Sequence, residues 1–446
     1  MEFKKSTVEE LIEQDVIEKP MDGNHGSIHP KTKDFTDVGI PFITAADIHS
    51  DKVDIEKANK LSEKDAHKLK KGFAKKRDVL LTHKASVGRT AIVNNMEYDY
   101  IILSPQVTYY RIKDTTTLLP EYLYLYFKSN YFNQIINQWA GGSTRKYIGI
   151  TAQKKLPILY PSIKNQKKIV DFIMTFEYKV QVNKKIIANL EELSQTLFKH
   201  WFVDFEFPDE DGKPYKSSGG EMIDSELGKI PLNWNVNVLK NIADIRTGYA
   251  FKSSEYIYSS KLSVLRTLNI SKTSCLIEMN NLKFVSNDYI NIPKYNKYSL
   301  EIFDTLLVTV GGSIGNIGII TESNLPSLQN QNMWRFRTLN SKINNLLIYN
   351  IIKIINKNVS NQTSGSAREF YTKKVFENFK IALPNLNHAM LLKANQIHSN
   401  LFKNISNLNK ETNNLVKLRD TLLPKLMSGE IEIPNDIEVN SDELSI

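Results

Sequence analysis

One cysteine, Cys275, in 446 residues leaves no internal disulfide framework and no Cys-rich zinc site, and fits a reducing, cytoplasmic setting. No apolar run approaches the ~18 residues of a membrane span. The opening MEFKKSTVEELIEQDV is charged throughout and has no apolar stretch, so no signal peptide is expected. None of the 19 glycines stand as G-x-G, so a dinucleotide or methyl-donor loop is not evident. Gly228-Lys229 is followed by Ile230 and has no upstream glycine in place for a phosphate-binding loop. Two adjacent prolines never occur, which removes the Asn/Asp-Pro-Pro-aromatic tetrapeptide of amino-methyltransferases, and no H-E-x-x-H is present. PDEDGK (208–213) superficially looks like a metal-nuclease signature, but Asp209 and Asp211 lie in a loop-like stretch with no strand between them. The chain is expected to perform no covalent chemistry and to hold no metal.

What is present is size, charge and repetition. The length exceeds one ordinary core. A composition 41% hydrophobic and 24% charged is that of a folded protein, and a net charge of +9 favours a polyanionic partner. GGSTR (141–145) returns as SGSAR (364–368), with Gly142 and Gly365 an offset of 223 apart. PFITAADI (41–48) answers SVLRTLNI (263–270), and DVLLTHKASVGRTAIV (78–93) answers DTLLVTVGGSIGNIGII (304–320). SPQVTYYRI (104–112) matches QNQNMWRFR (329–337), each with a glutamine ahead of an aromatic and an arginine. LPILYP (156–161) matches FKIALP (379–384), and LEELSQTLFK (190–199) matches LVKLRDTLLP (415–424). Six matches in one order, with offsets between 222 and 227, indicate a duplicated unit of half the chain.

Within each unit, short β-branched and aromatic runs bounded by Gly, Asn and Asp read as strands, and a helical stretch such as EYLYLYFKSNYFNQIINQ (121–138) precedes each Gly-Ser loop. Each unit is therefore an α+β domain followed by a long amphipathic helix. The first seam runs Ile169, Ile173, Phe176, Val180, Ile187, Leu190, Leu197 and Trp201, with Asn183 and Ser194 filling two positions. The second runs Ile397, Leu401, Leu408, Leu415, Leu418 and Leu422, with Asn404 and Glu411. Steps of three and four predict a coiled-coil pair, register fixed by polar residues such as Asn183 and Asn404; packing of each helix on its own domain is the alternative. Residues 200–231 read as a linker, and 430–446, with six carboxylates and no cation, as an acidic tail.

The order domain, helix, domain, helix resembles the specificity (S) subunit of type I restriction–modification enzymes over nearly the whole chain. The phrases that carry it are DVLLTHKASVGRTAIV with LSPQVTYYRI, LPILYPSIKNQKKIVDFI, LEELSQTLFKHWFVDFEF, LGKIPLNWNVNVLKNIADIRTGYAF and LRDTLLPKLMSGEI. The resemblance implies a first target recognition domain (1–160), a central helix (161–206), a linker and second recognition domain (207–385), a distal helix (386–429) and the tail (430–446). It implies that each domain reads half of a split double-stranded DNA sequence, and that the two helices pair antiparallel and hold the domains apart. It further implies two methyltransferase subunits that use S-adenosylmethionine to methylate adenines, and restriction/translocase subunits that use ATP and Mg. No membrane association is implied. One departure stands out: the second unit opens IPLNWNVNVLKNIADI, whereas the first, STVEELIEQDVIEKPMDG, lacks the Pro231/Trp234 pair, so its first strand is not assigned.

The loop residues are the candidate DNA contacts. Ser143, Thr144, Arg145 and Lys146, with Ser366 and Arg368 in the second copy, form a hydroxyl-rich basic loop suited to phosphate, although Gly and Ser equally make ordinary turns. Lys84, Ser86 and Arg89 in KASVGR, and Ser313 and Asn316 in GGSIGN, belong to the same reading. Thr44, Asp47, Arg266 and Asn269 sit in equivalent loops where differing side chains could read different bases or simply cap turns. Gln106 and Gln331 precede strands and could equally bond backbone. His83 is expected as a loop residue. Two rivals remain: a single-chain restriction–methylation enzyme, for which catalytic motifs are missing, and a coiled-coil scaffold or stand-alone DNA-binding protein.

Overall fold

A computed structural model describes residues 2–49, 52–84, 86–94, 96–140, 147–362 and 371–434. The chain divides into two compact units, Met1–Val180 with Asn414–Ile446, and Gln181–Asn413.

In the first unit, strand Val79–Thr82 pairs antiparallel with Thr90–Ile92 on one side and Val107–Tyr110 on the other, and Met21–Asp22 closes the edge. VLLT is buried at every position, which a strand tolerates only when both faces are covered. Alternation sorts the residues: Val79, Leu81, Ile92 and Tyr110 meet the helices Pro120–Lys128 and Asn130–Trp139. Leu80, Ala91, Val107 and Tyr109 meet Ile43, Ile101 and Leu103 of a second sheet, where Ile40–Ile43 and Ile101–Leu103 run parallel. Buried Tyr122 and Tyr126 donate their hydroxyls to the carbonyls of Leu159 (3.0 Å) and Pro157 (2.8 Å), so neither polar tip is stranded.

The second unit repeats the plan. Thr305–Val308 pairs with Ile317–Ile319 and Met333–Thr338, and Ala243–Thr247 takes the edge position of Met21–Asp22. Ser263–Leu265 and Ser327–Gln329 supply the parallel pair. The helix before the second loop is Asn345–Gln362. The unassigned first strand is Phe3–Thr7, antiparallel to Pro157–Pro161, just as Trp234–Val238 is antiparallel to Lys380–Pro384. Lacking Pro and Trp, it ends on a capping box instead: Glu10 N–H donates to Thr7 Oγ1 at 3.2 Å and Thr7 N–H to Glu10 Oε2 at 2.8 Å. The stretch expected as linker carries a hairpin, Met222–Ser225 with Gly228–Pro231, and Phe207 stacks on Trp234 at 5.3 Å.

The long helices are Ile163–Phe202 and Ala389–Ser428, 40 residues each. They pair antiparallel. In the first unit Ile169 and Ile173 share a core with Leu423 and Leu426, and Arg419 Nη1 meets Glu177 Oε1 at 2.8 Å. In the second, Asn183 Nδ2 donates to Glu411 Oε2 (2.9 Å), and Ser194 Oγ lies 2.9 Å from His398 Nδ1. The expected first seam holds, with Asn183 and Ser194 fully buried. The expected second seam is displaced by one residue. The buried stripe runs through Ala394, His398, Phe402, Ile405, Asn409 and Thr412, whereas Asn404 is exposed and Leu418 is 46% exposed. Three polar residues at the centre of that face break its apolar rhythm, while leucines line its margin. The polar pair that meets across the helices is Asn183 with Glu411, while Asn404 lies off the buried stripe.

Candidate nucleic-acid interface

In the first unit, the chain leaves its strand at Thr82 and enters the next at Thr90. Gly88 takes φ +96°, and Thr82 Oγ1 bonds the Ser86 carbonyl and receives the Arg89 N–H at 2.9 Å. His83 is the junction. Its N–H donates to the Gln106 carbonyl (2.9 Å), its carbonyl accepts from Ile148 (3.0 Å), and its ring lies 5.7 Å from that of Tyr147. Lys84 bridges to Tyr147, and Arg89 Nη1 reaches the Ala45 carbonyl at 3.2 Å. Thr44, Asp47, Lys84, Ser86, Arg89 and Gln106 thus come together beside the C-terminal flank of the Gly-Ser loop. Ser143, Thr144, Arg145 and Lys146 themselves, and Ser366 and Arg368 in the second copy, lie outside the described residues.

The second unit makes the same convergence. Asn316 Nδ2 donates to the Ile270 carbonyl (3.0 Å), Thr309 N–H to Asn332 (3.0 Å) and Gln331 N–H to Tyr249 (2.9 Å). Asn356 Nδ2 holds the Gly315 carbonyl at 2.9 Å while its Oδ1 accepts from Tyr371, just after the second Gly-Ser loop. Ser313 accepts the Asn316 N–H at 3.0 Å through its carbonyl, which closes the GGSIGN turn.

The side chains differ in how free they are. Asp47 Oδ2 takes the Thr44 N–H (2.7 Å) and hydroxyl (2.6 Å), closing a turn. Asn269 closes the equivalent turn on the Arg266 N–H (3.0 Å). Its Nδ2 is spent on the Glu278 and Asn280 carbonyls, and it is fully buried. Arg266 itself donates to the Asn281 carbonyl. Lys84, Arg89 and Gln331 are exposed, and Ser86, Gln106, Ser313 and Asn316 are half-buried.

Two repeated sequence signals serve the fold. Arg111 donates through Nε and Nη2 to Asp78 (2.9 and 2.7 Å), and Arg337 does the same to Asp304 (2.7 and 2.6 Å). This bidentate pair inside each sheet is what the repeated Asp and Arg encode. Burial pushes the His83 imidazole down to about 4 against the pull of Asp22, so its ring is neutral near pH 7. His25 and His29 stand four residues apart, but they flank the short turn Gly26–Ile28 rather than share a helix face. Asp209 is a turn cap, accepting from the N–H groups of Asp211 and Lys213. Among the described residues no cluster could hold a metal, and no helix is long and apolar enough to cross a membrane.

A family model, the type I restriction modification DNA specificity domain, matches residues 9–192 and again 231–418. The chain belongs to that family. As a specificity subunit of a type I restriction–modification system it recognises DNA and is not an enzyme itself. It is 25% identical over 443 residues to the MjaIX specificity subunit of Methanocaldococcus jannaschii, covering 97% of each chain. It is 22% identical over 415 residues to the HindI specificity subunit of Haemophilus influenzae, covering 80% of this chain and 87% of that one. The type I S subunit from M. genitalium has the same fold, with a TM-score of 0.53 at 17% identity and 96% of each chain covered.

Proposed function

We propose that each globular unit reads one half of a split DNA target, and that the paired helices set the unread gap between the halves. The observation that supports this is the loop junction built twice, with His83 N–H on the Gln106 carbonyl in one unit and Thr309 N–H on the Asn332 carbonyl in the other. Lys84, Arg89, Arg145, Lys146 and Arg368 meet phosphates, with Ser86, Ser143, Thr144, Ser313 and Ser366 beside them. Gln106, Gln331 and Asn316 face base edges. Thr44, Asp47, Arg266 and Asn269 act mainly by holding the loops. The subunit works in the cytoplasm with two methyltransferase subunits that bind S-adenosylmethionine and methylate adenines, and with restriction subunits that use ATP and Mg.

The test is the salt dependence of DNA binding by the complex with its methyltransferase partner. Each lost phosphate contact lowers the slope of log K against log salt by about one. Arg145→Ala, Lys146→Ala and Arg368→Ala together should weaken binding to every sequence and lower the slope by about three. An unchanged slope would show that the Gly-Ser loops do not meet DNA.

A further inference from the structure

A glycine in each unit is pinned against the backbone that leads to the reading glutamine. A Cβ on Gly23 would stand 1.8 Å from the Leu103 carbonyl oxygen, and one on Gly248 would stand 2.0 Å from that of Asn330. Each glycine directly follows the edge strand of its sheet, Met21–Asp22 or Ala243–Thr247, paired antiparallel to the strand after Gln106 or Gln331. Gly23 and Gly248 are 225 apart, within the offset of the duplication, yet MDGNHG and RTGYAF share only that glycine. The chain beyond each glycine is therefore an equivalent arm whose place is fixed and whose sequence is free to differ.

The two arms carry different chemistry. In the first, His25, with half its side chain exposed, donates Nε2–H to Asp22 Oδ2 at 2.6 Å, and Lys71 takes the other carboxylate oxygen. Burial pushes the Asp22 carboxyl up, but the hydrogen bonds from Lys71 and His25 outweigh it and hold it below its ordinary value. An ionised carboxylate only accepts, so it fixes the ring tautomer and leaves Nδ1 to engage a ligand. Asp22 also faces His83, with Nε2 4.0 Å away, which ties the arm's root to the junction of the loop cluster. In the second arm, Tyr249 packs edge-on to Phe251 (4.9 Å) and Tyr295 (5.1 Å), and exposed Lys294 lies 5.0 Å above the Tyr249 ring. Gln331 N–H donates to the Tyr249 carbonyl, so this arm is bonded directly to the candidate reader.

We propose that these arms build a second recognition element in each domain: His25 of the first arm contacts a base edge in the first half-site, and Lys294 of the helix Pro293–Asn296, propped on Tyr249 of the second arm, contacts a phosphate in the second. This rests on the reading of each unit as a half-site reader. Asn24, whose amide is spent on Lys70 and Lys71 backbone, holds the first arm's shape.

The test uses the full complex with its methyltransferase partner, a genome-wide map of methylated adenines, and DNA binding over a salt series. His25→Ala should relax the preference at one position of the first half-site about tenfold, within the usual worth of a base contact, and leave the second half-site intact. His25→Gln, which keeps a donor for Asp22, should preserve the melting midpoint and still shift that position. Lys294→Ala should keep both half-site sequences and lower the salt slope by about one. An unchanged first half-site in folded His25→Ala and His25→Gln complexes overturns the first arm, and an unchanged slope with Lys294→Ala overturns the second. A wild-type map without a two-part motif would instead sink the half-site reading itself.

Discussion

Asp304 has no exposed surface, and both its oxygens are taken by Arg337, while Asp78 and Arg111 repeat the arrangement at 2% side-chain exposure of the carboxylate. Removing one partner of such a pair strands a buried charge, at a cost of about 3–5 kcal/mol. Asp304→Ala should lower unfolding stability by that amount in urea titrations, without changing the salt slope of whatever protein remains folded. His398 carries a different signature. Burial pushes its imidazole from 6.5 to about 4, so the unfolded chain binds the proton that the folded chain refuses. Stability rises with pH across that window, and lowering pH from 7 to 5 should cost about 2 kcal/mol from this residue. His398→Gln should flatten the pH dependence of the urea midpoint by that amount; an unaltered slope would show that the imidazole is not neutral when folded. These residues also show how the sequence misleads. A residue kept in both copies invites a functional reading, but the repeated Asp and Arg build the sheet, whereas Gly23 and Gly248, whose neighbours have diverged, mark places where the two readers can differ.

At the scale of elements, the strands were legible because alternation and β-branching report burial on two faces, as VLLT does. The second helix was legible as a helix but not in its facing residues. His398, Asn409 and Thr412 occupy the buried stripe because they find partners there or bond their own helix, which apolar periodicity does not register. The loop cluster was legible only as separate phrases. What joins them is backbone pairing, His83 to Gln106 and Ile148, which no side-chain pattern encodes. Glu177 takes Lys128 at 2.6 Å and Arg419 at 2.8 Å, joining the helix Pro120–Lys128 to both long helices. Burial raises its carboxyl, but the two cations outweigh it and hold it below 4.5, so its stabilisation is complete at neutral pH and is lost as pH falls through the folded value. Glu177→Gln should destabilise by about 3 kcal/mol at pH 7, and that deficit should shrink in acid. Asn183 facing Glu411 also defines a matched deletion. Removing 180–186 and 408–414 together takes out one heptad from each helix, about 10 Å, while keeping the phase. Methylation maps should then show intact half-sites and a gap altered by about three base pairs. A folded, active deletion with the original gap would refute a helical ruler.

For the whole molecule, duplication is the fact from which function follows. Six ordered phrase matches revealed it in the sequence, and the strand pairing repeats it, down to an edge strand and a pinned glycine that the phrases did not include. The part beyond reach of sequence is the target itself, because base choice depends on the shape of loops whose ends are held by distant segments. The central claim is that two independent readers share one chain. Its most direct test replaces residues 1–155 with the first domain of another family member, co-expresses the chimera with the methyltransferase partner, and maps methylated adenines across the genome. One half of the recognised sequence should change to that of the donor while the other half and the gap stay as they were. A map in which both halves change, or neither does, would contradict the claim.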